Sequence, residues 1–313
     1  MLDLLSDILT TLSLRGTIYF RTAFTKPWGV AVPAYENVAR FHYAHRGHCL
    51  VRVDGVEHPI DLAQRDLVII PHGAAHDLYC GHDPELTILP LDTVLAKAGF
   101  DGSGVLVYGG DDPQGETQLI CGHFAFDPKA RHVLLERLPP CLHITHYGAN
   151  AGRWMDATLR LIGEEAGGAR LGGDLIALKM SETIFAQAIR SFIEGQAATE
   201  WGLGAFSNKH LSRALDAFHC APADNWTVET LAAAAGMSRT SFALRFQQLM
   251  AFTPMEYVTR WRMEIAKKAL LRAGTSLTDA AEVAGYASDS AFARTFKKTT
   301  GMTPAEFKKA ESA

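Results

Sequence analysis

The sequence predicts an α+β protein in three parts: an N-terminal β-barrel, a helical middle segment and an all-α C-terminal domain with two helix-turn-helix units. Three observations support this fold class. Short β-rich runs broken by turn residues fill residues 17–126, helical periodicity returns after residue 150, and one sequence pattern occurs twice within residues 226–309. We place the domains at residues 1–148, 149–204 and 205–313.

Length and composition are those of an ordinary soluble protein. The 313 residues are enough for two hydrophobic cores, and the chain is 48% hydrophobic and 20% charged. No apolar run approaches the ~18 residues that a membrane span needs. Residues 1–7 lack the basic lead of a secretory signal. We therefore expect a cytoplasmic protein with no membrane partner.

The N-terminal part begins with an amphipathic stretch, residues 1–16, and continues as short strands. The predicted strands cover residues 18–20, 39–43, 49–53, 67–70, 87–89 and 119–126. Asp54-Gly55 lies between two alternating runs and is a strong hairpin signal. Many short strands at this spacing favour a barrel or a jelly roll.

The middle segment, residues 149–204, has helical periodicity. Trp154, Ala157 and Leu161 mark one amphipathic helix, and Asp174 can cap a second helix that is apolar around much of its circumference. Two interpretations of the second helix stay open. It is either a buried core helix or an interface that makes the protein a homodimer.

The repeated pattern predicts two helix-turn-helix units. The first copy reads Ala235-Gly236-Met237-Ser238-Arg239-Thr240-Ser241-Phe242, then Phe246 and Thr253-Pro254, and the second reads Ala284-Gly285-Tyr286-Ala287-Ser288-Asp289-Ser290-Ala291-Phe292, then Phe296 and Thr303-Pro304. The glycines are 49 residues apart and the prolines 50. Each copy has a short Ala-rich helix, a glycine turn and a second helix, which is the helix-turn-helix pattern.

The second helix of each copy has an apolar face and an opposite face suited to DNA. The expected core residues recur at i, i+4 and i+7: Phe242, Phe246 and Leu249 in the first copy, and Phe292, Phe296 and Thr299 in the second. The opposite faces carry Arg239, Thr240, Ala243 and Gln247, and Asp289, Ser290, Arg294 and Lys297. These eight positions would enter a major groove, so double-stranded DNA is the expected partner.

A helix with a clear start signal joins the two copies. Thr253-Pro254-Met255-Glu256 is a capping box with proline at the first helical position, and it predicts a helix to about Leu271. Thr303-Pro304-Ala305-Glu306 repeats the signal for the last helix. The first of these helices is long enough to hold the two units apart.

The charge distribution is uneven along the chain. Residues 200–313 have 14 Lys+Arg and 11 Asp+Glu, a net charge of +3, whereas residues 1–199 have 16 and 23, a net charge of −7. A basic C-terminal end suits DNA contact limited to that end. Because a net charge of +3 is modest, we expect a homodimer. Linking two DNA-binding domains in one dimer raises the affinity for DNA through effective concentration.

Both ends of the chain resemble one known family. Residues 226–309 resemble the DNA-binding domain of the AraC family of bacterial transcription regulators, through the doubled pattern, Trp261-Arg262-Met263 with Ala266, and Gly301-Met302-Thr303-Pro304. The run Gly47-x7-Gly55-x10-Asp66-x4-Pro71-x-Gly73-x2-His76 resembles the core of a cupin, in particular the cupin sensor domain of one branch of that family. The resemblance implies two reading helices on one face of DNA, an unidentified effector in the cupin-like barrel, and RNA polymerase as a partner.

The barrel contains a candidate metal site. His42, His72, His76 and Cys121 would suit zinc, because zinc prefers nitrogen and sulfur donors. The usual cupin pattern has Glu where this chain has Arg40, and only His76 matches the later ligand position, so the standard metal site is broken. Without metal, the same pocket would take a small organic ligand, with Arg40 pairing a carboxylate.

Cysteine use leaves a third kind of signal open. The five cysteines include no Cys-x-x-Cys pair, which argues against a disulfide framework or a zinc ribbon. Thiol oxidation could still switch a regulator.

Together these patterns predict a sequence-specific DNA-binding transcription regulator and not an enzyme. Its cupin-like domain would sense a small ligand, a metal or a redox signal. The alternative is a cupin-type metalloenzyme with an accessory helical domain. The sequence shows no nucleotide-binding glycine loop or nucleophile elbow.

Overall fold

The structure is a computed structural model that describes residues 3–81, 83, 85–102, 104–110, 116–127, 131–145, 171–195 and 197–311, with residues 154, 157–159, 161–162 and 165. The chain divides into two compact units. The barrel unit comprises Leu14–Asp127 and Leu138–Phe192, and the helical unit comprises Met1–Ser13, Pro128–Arg137 and Ile193–Ala313. The predicted domain boundaries stay a prediction, because this division follows contacts in space and not the order of the chain.

The barrel unit contains two sheets. Its strands are β1 (Arg15–Thr25), β2 (Gly29–Val32), β3 (Val38–Arg46), β4 (Cys49–Val53), β5 (Ile60–Leu62), β6 (Leu67–Ile70), β7 (His76–Tyr79), β8 (Leu89–Pro90), β9 (Val105–Gly109), β10 (Gln118–Ala125) and β11 (Leu142–Ile144). One sheet has the order β11-β6-β3-β10-β1-β9 and the other β5-β4-β7-β2-β8. Pairing is antiparallel except between β1 and β9 and between β2 and β8. The predicted β-rich N-terminal half is confirmed.

The core of the barrel unit is formed by alternating inward side chains. Phe24, Trp28, Val51, Val68 and Leu119 belong to one buried cluster. A close approach on β10 explains why Gly122 has no side chain, since a Cβ there would lie 2.3 Å from the carbonyl oxygen of Thr17 and 2.6 Å from the ring of Phe41. Of the helices whose bounds the structure describes, α2 (Leu91–Lys97) and most of α4 (Gly173–Glu194) belong to this unit.

Helix α4 packs on the barrel sheet through aromatic residues. The ring of Phe185 lies 4.6 Å from that of Phe124 and 5.6 Å from that of Phe126. Leu175 and Ile176, in its first turns, are instead 61% and 48% exposed. The helix is thus buried on one side, while its N-terminal apolar residues face solvent. Most of the helix predicted around Trp154 lies outside the described residues.

The helical unit contains the remaining helices. They are α1 (Leu4–Thr11), α3 (Val133–Glu136), α5 (Ala197–Glu200), α6 (Gly204–Ser207), α7 (Lys209–Cys220), α8 (Val228–Ala235), α9 (Arg239–Met250), α10 (Pro254–Leu270), α11 (Leu277–Val283), α12 (Asp289–Thr300) and α13 (Pro304–Glu311). None of the described helices is long and apolar enough to cross a membrane.

Both helix-turn-helix copies form where the sequence predicts them. The first is α8, a turn with Gly236 at φ 66°, and α9; the second is α11, a turn with Gly285 at φ 74°, and α12. Thr253 and Glu256 form the capping box of α10, which ends at Leu270. The copies differ in the residue that ends the reading helix. Gly301 follows α12 with φ 84°, whereas Ala251 follows α9 with φ 55°, a left-handed conformation that alanine adopts less readily than glycine.

The two reading helices are buried along their phenylalanines. Phe242, Phe246, Phe292 and Phe296 are at most 1% exposed. The prediction for Thr299 is wrong: it is exposed, whereas Leu249 at the equivalent position is buried. Phe307 of α13 packs against Phe296 instead, at 5.6 Å between ring centroids, so the second core closes without a third apolar residue from α12.

Candidate functional site

The predicted DNA-contact residues lie on the accessible sides of α9 and α12. Arg239, Thr240, Gln247, Ser290, Arg294 and Lys297 are exposed, and Ala243 and Asp289 are half-buried. The polar face therefore exists in both copies, because burial of the phenylalanines turns the positions between them outward. The contacts of these residues with DNA stay a proposal.

Two of the eight residues contact a side chain on the first helix of their own helix-turn-helix copy. Arg239 Nε lies 2.5 Å from a carboxylate oxygen of Glu229 on α8, and both side chains are mostly exposed. The hydroxyl of Thr278 on α11 donates to the carboxylate of Asp289 at 2.9 Å. Each contact joins the first helix of a copy to the start of the reading helix. A phosphate would have to compete with Glu229 for Arg239.

The barrel unit encloses a cavity of about 200 Å³. Its lining is mainly apolar, and polar groups come from the following residues: Thr22, Tyr35, Arg40, His42, Asp92 and Cys121. Leu91 and Leu95 of α2 line it from one side. Apolar walls with a few convergent polar groups are typical of small-molecule sites.

Arg40 is a buried cation in this lining. It is 4% exposed, and its guanidinium carbon lies 4.1 Å from the ring centroid of Tyr35. Burial lowers the pKa of His42, His76 and His123, and the positive charge of Arg40 lowers each of them further. The surroundings of Arg40 therefore favour neutral histidines.

A chain of hydrogen bonds runs beside Arg40 from a thiol to a backbone carbonyl. His76 Nδ1 must donate to Ala74 O at 2.9 Å, since a carbonyl only accepts. Its Nε2 is then the acceptor for His42 Nε2, at 2.8 Å, which leaves His42 Nδ1 to accept from the thiol of Cys121 at 3.2 Å. Their lowered pKa values keep both rings neutral, and the tautomers of the neutral rings then follow from these partners.

The proposed metal ligands do not converge in this arrangement. Among the described residues, no group of three or more His, Cys, Asp and Glu side chains is placed to hold a metal ion. The atoms of His42, His76 and Cys121 that could ligate a metal are hydrogen-bonded within this group. His72 is exposed, and its Nε2 lies 2.8 Å from Leu138 O. A metal would also have to overcome the charge of Arg40. The residues as placed do not fit zinc.

The cysteine environment does not favour oxidation chemistry. Burial raises the pKa of Cys121 and of Cys141 to about 12, and burial also raises the pKa of Cys49. Because the thiolate is the reactive form, these three thiols are poor nucleophiles at neutral pH.

A second buried chain, which the sequence did not reveal, crosses the helical unit. His132 Nδ1 accepts from the backbone N–H of Leu134 at 3.1 Å, so its Nε2 donates to Tyr257 Oη at 3.1 Å. The Tyr257 hydroxyl donates to His219 Nε2 at 2.6 Å, and His219 Nδ1 donates to Asp7 at 2.7 Å. The chain ties α1, α3, α7 and α10 together. No local pattern signals it, since its members are far apart in sequence.

Comparison with known families identifies both halves of the chain. A family model described as Cupin matches residues 3–194, and one described as a Helix-turn-helix domain matches residues 231–310. The first covers more than half of the chain. The residues matched by the first model include the barrel unit, and those matched by the second include both reading helices.

Relatives match the chain over its whole length. An AraC-like transcription regulator of Streptomyces lividans is 32% identical over 312 residues, covering 98% of each chain. One of Streptomyces antibioticus is 33% identical over 317 residues, covering 98% of this chain and 99% of that protein. The crystal structure of the DNA-binding domain of AdpA with a target DNA matches at 28% identity and TM-score 0.32, covering 33% of this chain and 93% of that one.

Proposed function

The chain belongs to the AraC-like transcription regulators, with a cupin domain ahead of a DNA-binding helix-turn-helix domain, and on this basis we propose how it reads DNA and what its barrel senses. Helices α9 and α12 enter neighbouring segments of the major groove. The reading residues are Arg239, Thr240, Ala243 and Gln247, and Asp289, Ser290, Arg294 and Lys297. Leu244, which is 58% exposed on α9, adds an apolar contact of the kind that thymine methyl groups make.

Selection of bound duplexes from a random DNA pool tests this proposal. The full-length protein should enrich one sequence with two recognised segments about one helical turn apart. A protein with both Arg239→Ala and Arg294→Ala should lose the enrichment. Arg65→Ala, an exposed arginine of the barrel unit, is the control and should keep it. Equal enrichment by the double variant and the control would contradict the assignment.

The barrel cavity is proposed to bind a small molecule that carries a carboxylate on an apolar body. The observation behind this proposal is Arg40, a cation 4% exposed in the wall of a mostly apolar cavity. A charged hydrogen bond formed away from water is the kind of contact that gives such a site its specificity. The neighbouring hydrogen-bonded chain, with its neutral histidines and the Cys121 thiol, adds no negative charge of its own.

Matched ligands can test the role of Arg40. Hexanoate should bind the full-length protein and hexanamide should not, as measured by calorimetry. Arg40→Gln should weaken hexanoate binding by about 10- to 100-fold, and Arg40→Lys by less. Arg46→Gln, which removes an exposed arginine of β3, should leave the affinity unchanged. Equal binding of the acid and the amide would end the proposal.

Zinc binding and thiol oxidation are the competing signals. Metal content and thiol reactivity, measured on one protein preparation, distinguish both from a small ligand. Protein purified without a histidine tag should contain less than ~0.2 metal ion per chain. Its thiols should react no faster than a thiol whose pKa is raised by burial. About one zinc per chain, lost in His76→Ala, would favour the metal instead. Contact with RNA polymerase, expected from the family, remains a prediction.

A further inference from the structure

The barrel cavity has two oppositely charged side chains in its lining. Arg40 is the buried cation described above, and Asp92, in the first turn of α2, contributes a carboxylate. Asp92 is exposed, so its carboxylate is accessible from solvent, whereas Arg40 is only 4% exposed. We call the solvent-facing end of the cavity, where Asp92 lies, the mouth. The cavity is thus polarised, with its positive group inside and its negative group at the mouth.

The two charges are held by different sheets. Arg40 lies on β3, in the six-stranded sheet. Asp92 follows β8, which pairs with β2 at the edge of the five-stranded sheet through Pro90 and Ala31. Strands of both sheets line the cavity. A molecule that reaches both charges therefore has to cross the space between the sheets.

The wall between the two charges is apolar. Val30 and Val32 of β2, Leu78 of β7 and Leu95 of α2 are part of the lining. Burial of alkyl carbons against such a wall is favourable, whereas an unpaired charge placed there is costly. A ligand that suits the cavity therefore has its charged groups at its two ends and methylene groups between them.

The carboxylate of Asp92 is available to a ligand. Pro90 is the N-cap of α2, and no side-chain hydrogen bond is made at this cap, so Asp92 does not cap the helix. Within the part of the chain that the structure describes, no hydrogen bond or ion pair involves the side chain of Asp92. At this position a ligand ammonium group would be attracted and a second ligand carboxylate would be repelled.

We propose that the barrel cavity recognises a zwitterion, an amino carboxylic acid whose ammonium and carboxylate groups are separated by an apolar chain. The carboxylate pairs with Arg40 inside the cavity, and the ammonium group pairs with Asp92 at the mouth. Asp92 thereby adds specificity to the carboxylate site at Arg40, on which this proposal rests. Dicarboxylic acids are disfavoured, because their second carboxylate meets the like charge of Asp92.

Such a ligand ties α2 to the six-stranded sheet. One end of the ligand binds β3 and the other binds α2, whose residues Asp92, Ala96 and Lys97 are exposed. A helix with this much exposed surface opens locally more readily than the buried strands do. A ligand bound at both ends should therefore slow the opening of α2 more than a simple fatty acid, which binds only at Arg40.

Pairs of ligands of equal size test the role of Asp92 in the full-length protein. Each ω-amino acid from 4-aminobutanoate to 8-aminooctanoate is compared by calorimetry with the alkanoate in which a methyl group replaces the ammonium, for example 6-aminohexanoate with heptanoate. At one chain length or more, the amino acid should bind at least 3-fold more tightly at low salt. The preference should shrink as salt is raised, because the ion pair lies at the exposed mouth. Absence of a preference at every chain length would overturn the proposal.

Variants decide whether Asp92 causes the preference. Asp92→Asn should remove it, and Asp92→Glu, which keeps the charge, should retain part of it. Asp61→Asn changes an exposed aspartate on β5, at the opposite edge of the five-stranded sheet, and is the matched control that should retain the preference in full. A preference that survives in Asp92→Asn would contradict the assignment to Asp92.

Hydrogen exchange gives a second readout on α2. The backbone N–H of Ala98 donates to Val94 O at 2.9 Å and closes the last turn of the helix. At equal occupancy, the preferred amino acid should slow exchange of this amide more than its matched alkanoate does, in the wild-type protein but not in Asp92→Asn. Equal protection by both ligands would refute the link between the ligand and α2.

Failure of this proposal differs from failure of the Arg40 site. If alkanoates bind and Arg40→Gln weakens them, but the amino acids have no advantage that depends on Asp92, the carboxylate site stands and the zwitterion is refuted. If neither series binds, or if Arg40→Gln leaves both affinities unchanged, the carboxylate site fails and the zwitterion fails with it.

Discussion

At the scale of single residues, the barrel combines a buried cation with side chains that must stay neutral. Arg40 contributes to the lowered pKa of His42 and His76, so both rings are neutral near pH 7, and their hydrogen bonds connect Cys121 to Ala74 in that neutral state. Each nitrogen of the two rings already has a partner. An added proton therefore breaks a hydrogen bond as well as placing two positive charges together.

Acid should destabilise the barrel unit. Burial lowers the pKa of His76 from 6.5 to about 4, so between these values the unfolded chain binds more protons than the folded one. The contribution of His76 to the free energy of unfolding is complete above pH ~6.5 and is lost as the pH falls towards 4, by on the order of 3 kcal/mol. Urea unfolding across this range should show the loss, and His76→Gln should reduce its slope. A free energy of unfolding that is flat between pH 7 and 4.5 would contradict it.

Arg294 and Lys297 should have different roles on DNA. Arg294→Ala should cost ~1–3 kcal/mol at the selected site and relax the base preference at one position, because a bidentate contact to a base is lost. Lys297→Ala should weaken all sequences about equally and reduce the salt dependence, since a phosphate contact carries no base information. Repeated DNA selection measures both. An unchanged ranking of sequences for Arg294→Ala would show that its role is wrongly assigned.

Glu229 should restrain Arg239 in the absence of DNA. Glu229→Gln removes the ion partner 2.5 Å from Arg239 and one negative charge beside the reading helix, so DNA should bind more tightly. The gain should be small, a few-fold at low salt, because the pair is largely exposed. Anisotropy titrations at 50 and 200 mM salt measure it. In the Arg239→Ala background the gain should shrink, and an equal gain in both backgrounds would exclude release of Arg239 as the cause.

At the scale of elements, the two copies share a turn but not its surroundings. A Cβ at Gly236 would lie in open space, with the nearest atom, of Arg213, 3.8 Å away. Gly285 lies against the loop before α8, where a Cβ would be 2.7 Å from the carbonyl oxygen of Ala223 and 2.8 Å from Arg262. Arg262 in turn donates to Pro222 O and Asp224 O. The second turn therefore also packs against the loop that leads into the first copy.

Alanine at the two turn glycines should have unequal effects. Gly236→Ala should cost about 1–2 kcal/mol, the strain of a left-handed L-residue. Gly285→Ala should cost clearly more, because the methyl group meets backbone as well. Urea unfolding of both variants measures the difference, and Gly301→Ala, with φ 84° and no atom within 4 Å, is the control for strain alone. Equal costs at Gly236 and Gly285 would show that the contact around Gly285 relaxes freely.

At the scale of the whole molecule, self-association has two exposed apolar candidates. One is the start of α4, where Leu175 and Ile176 are 61% and 48% exposed. The other is the edge strand β9, where Val105 and Val107 are 40% and 66% exposed. The helix is the stronger candidate, because Leu171, fully exposed just before its first turn, adds a third apolar side chain to Leu175 and Ile176. A dimer would also offset the modest positive charge of the DNA-binding end.

We expect the helix to carry a homodimer. The 34.1 kDa chain should sediment as a dimer at micromolar concentration, and Leu175→Asp with Ile176→Asp should convert it to a monomer that binds the selected DNA more weakly. Val107→Asp is the matched control and should remain dimeric. A wild-type protein that sediments only as a monomer, with and without DNA, would end this prediction. Dissociation by Val107→Asp alone would move the interface to β9.

Part of the fold was predictable because its signals are local. The capping boxes at Thr253 and Thr303, the glycine turns and the phenylalanine spacing each act within a few residues, so the helix-turn-helix copies and their exposed faces follow from the sequence. The i+7 spacing wrongly predicts a core position for Thr299, because the core at that point is filled by α13. Strands β2, β5, β7, β9 and β11, of 3 to 5 residues, are too short for a clear alternating pattern.

Local sequence patterns are enough to identify the family, the two reading helices and the helix that joins them. Contacts between side chains that are distant in sequence depend on how the elements pack. His42 and His76 are 34 residues apart and His219 and Asp7 are 212 apart, and each pair depends on register and packing. A shift of one residue in β3 would turn Arg40 and His42 away from the barrel interior. The sequence shows that histidines, Arg40 and Cys121 lie in the same half of the protein. In the structure, His42, His76 and Cys121 form a neutral row of hydrogen bonds beside the buried cation of Arg40, and they do not form a metal site.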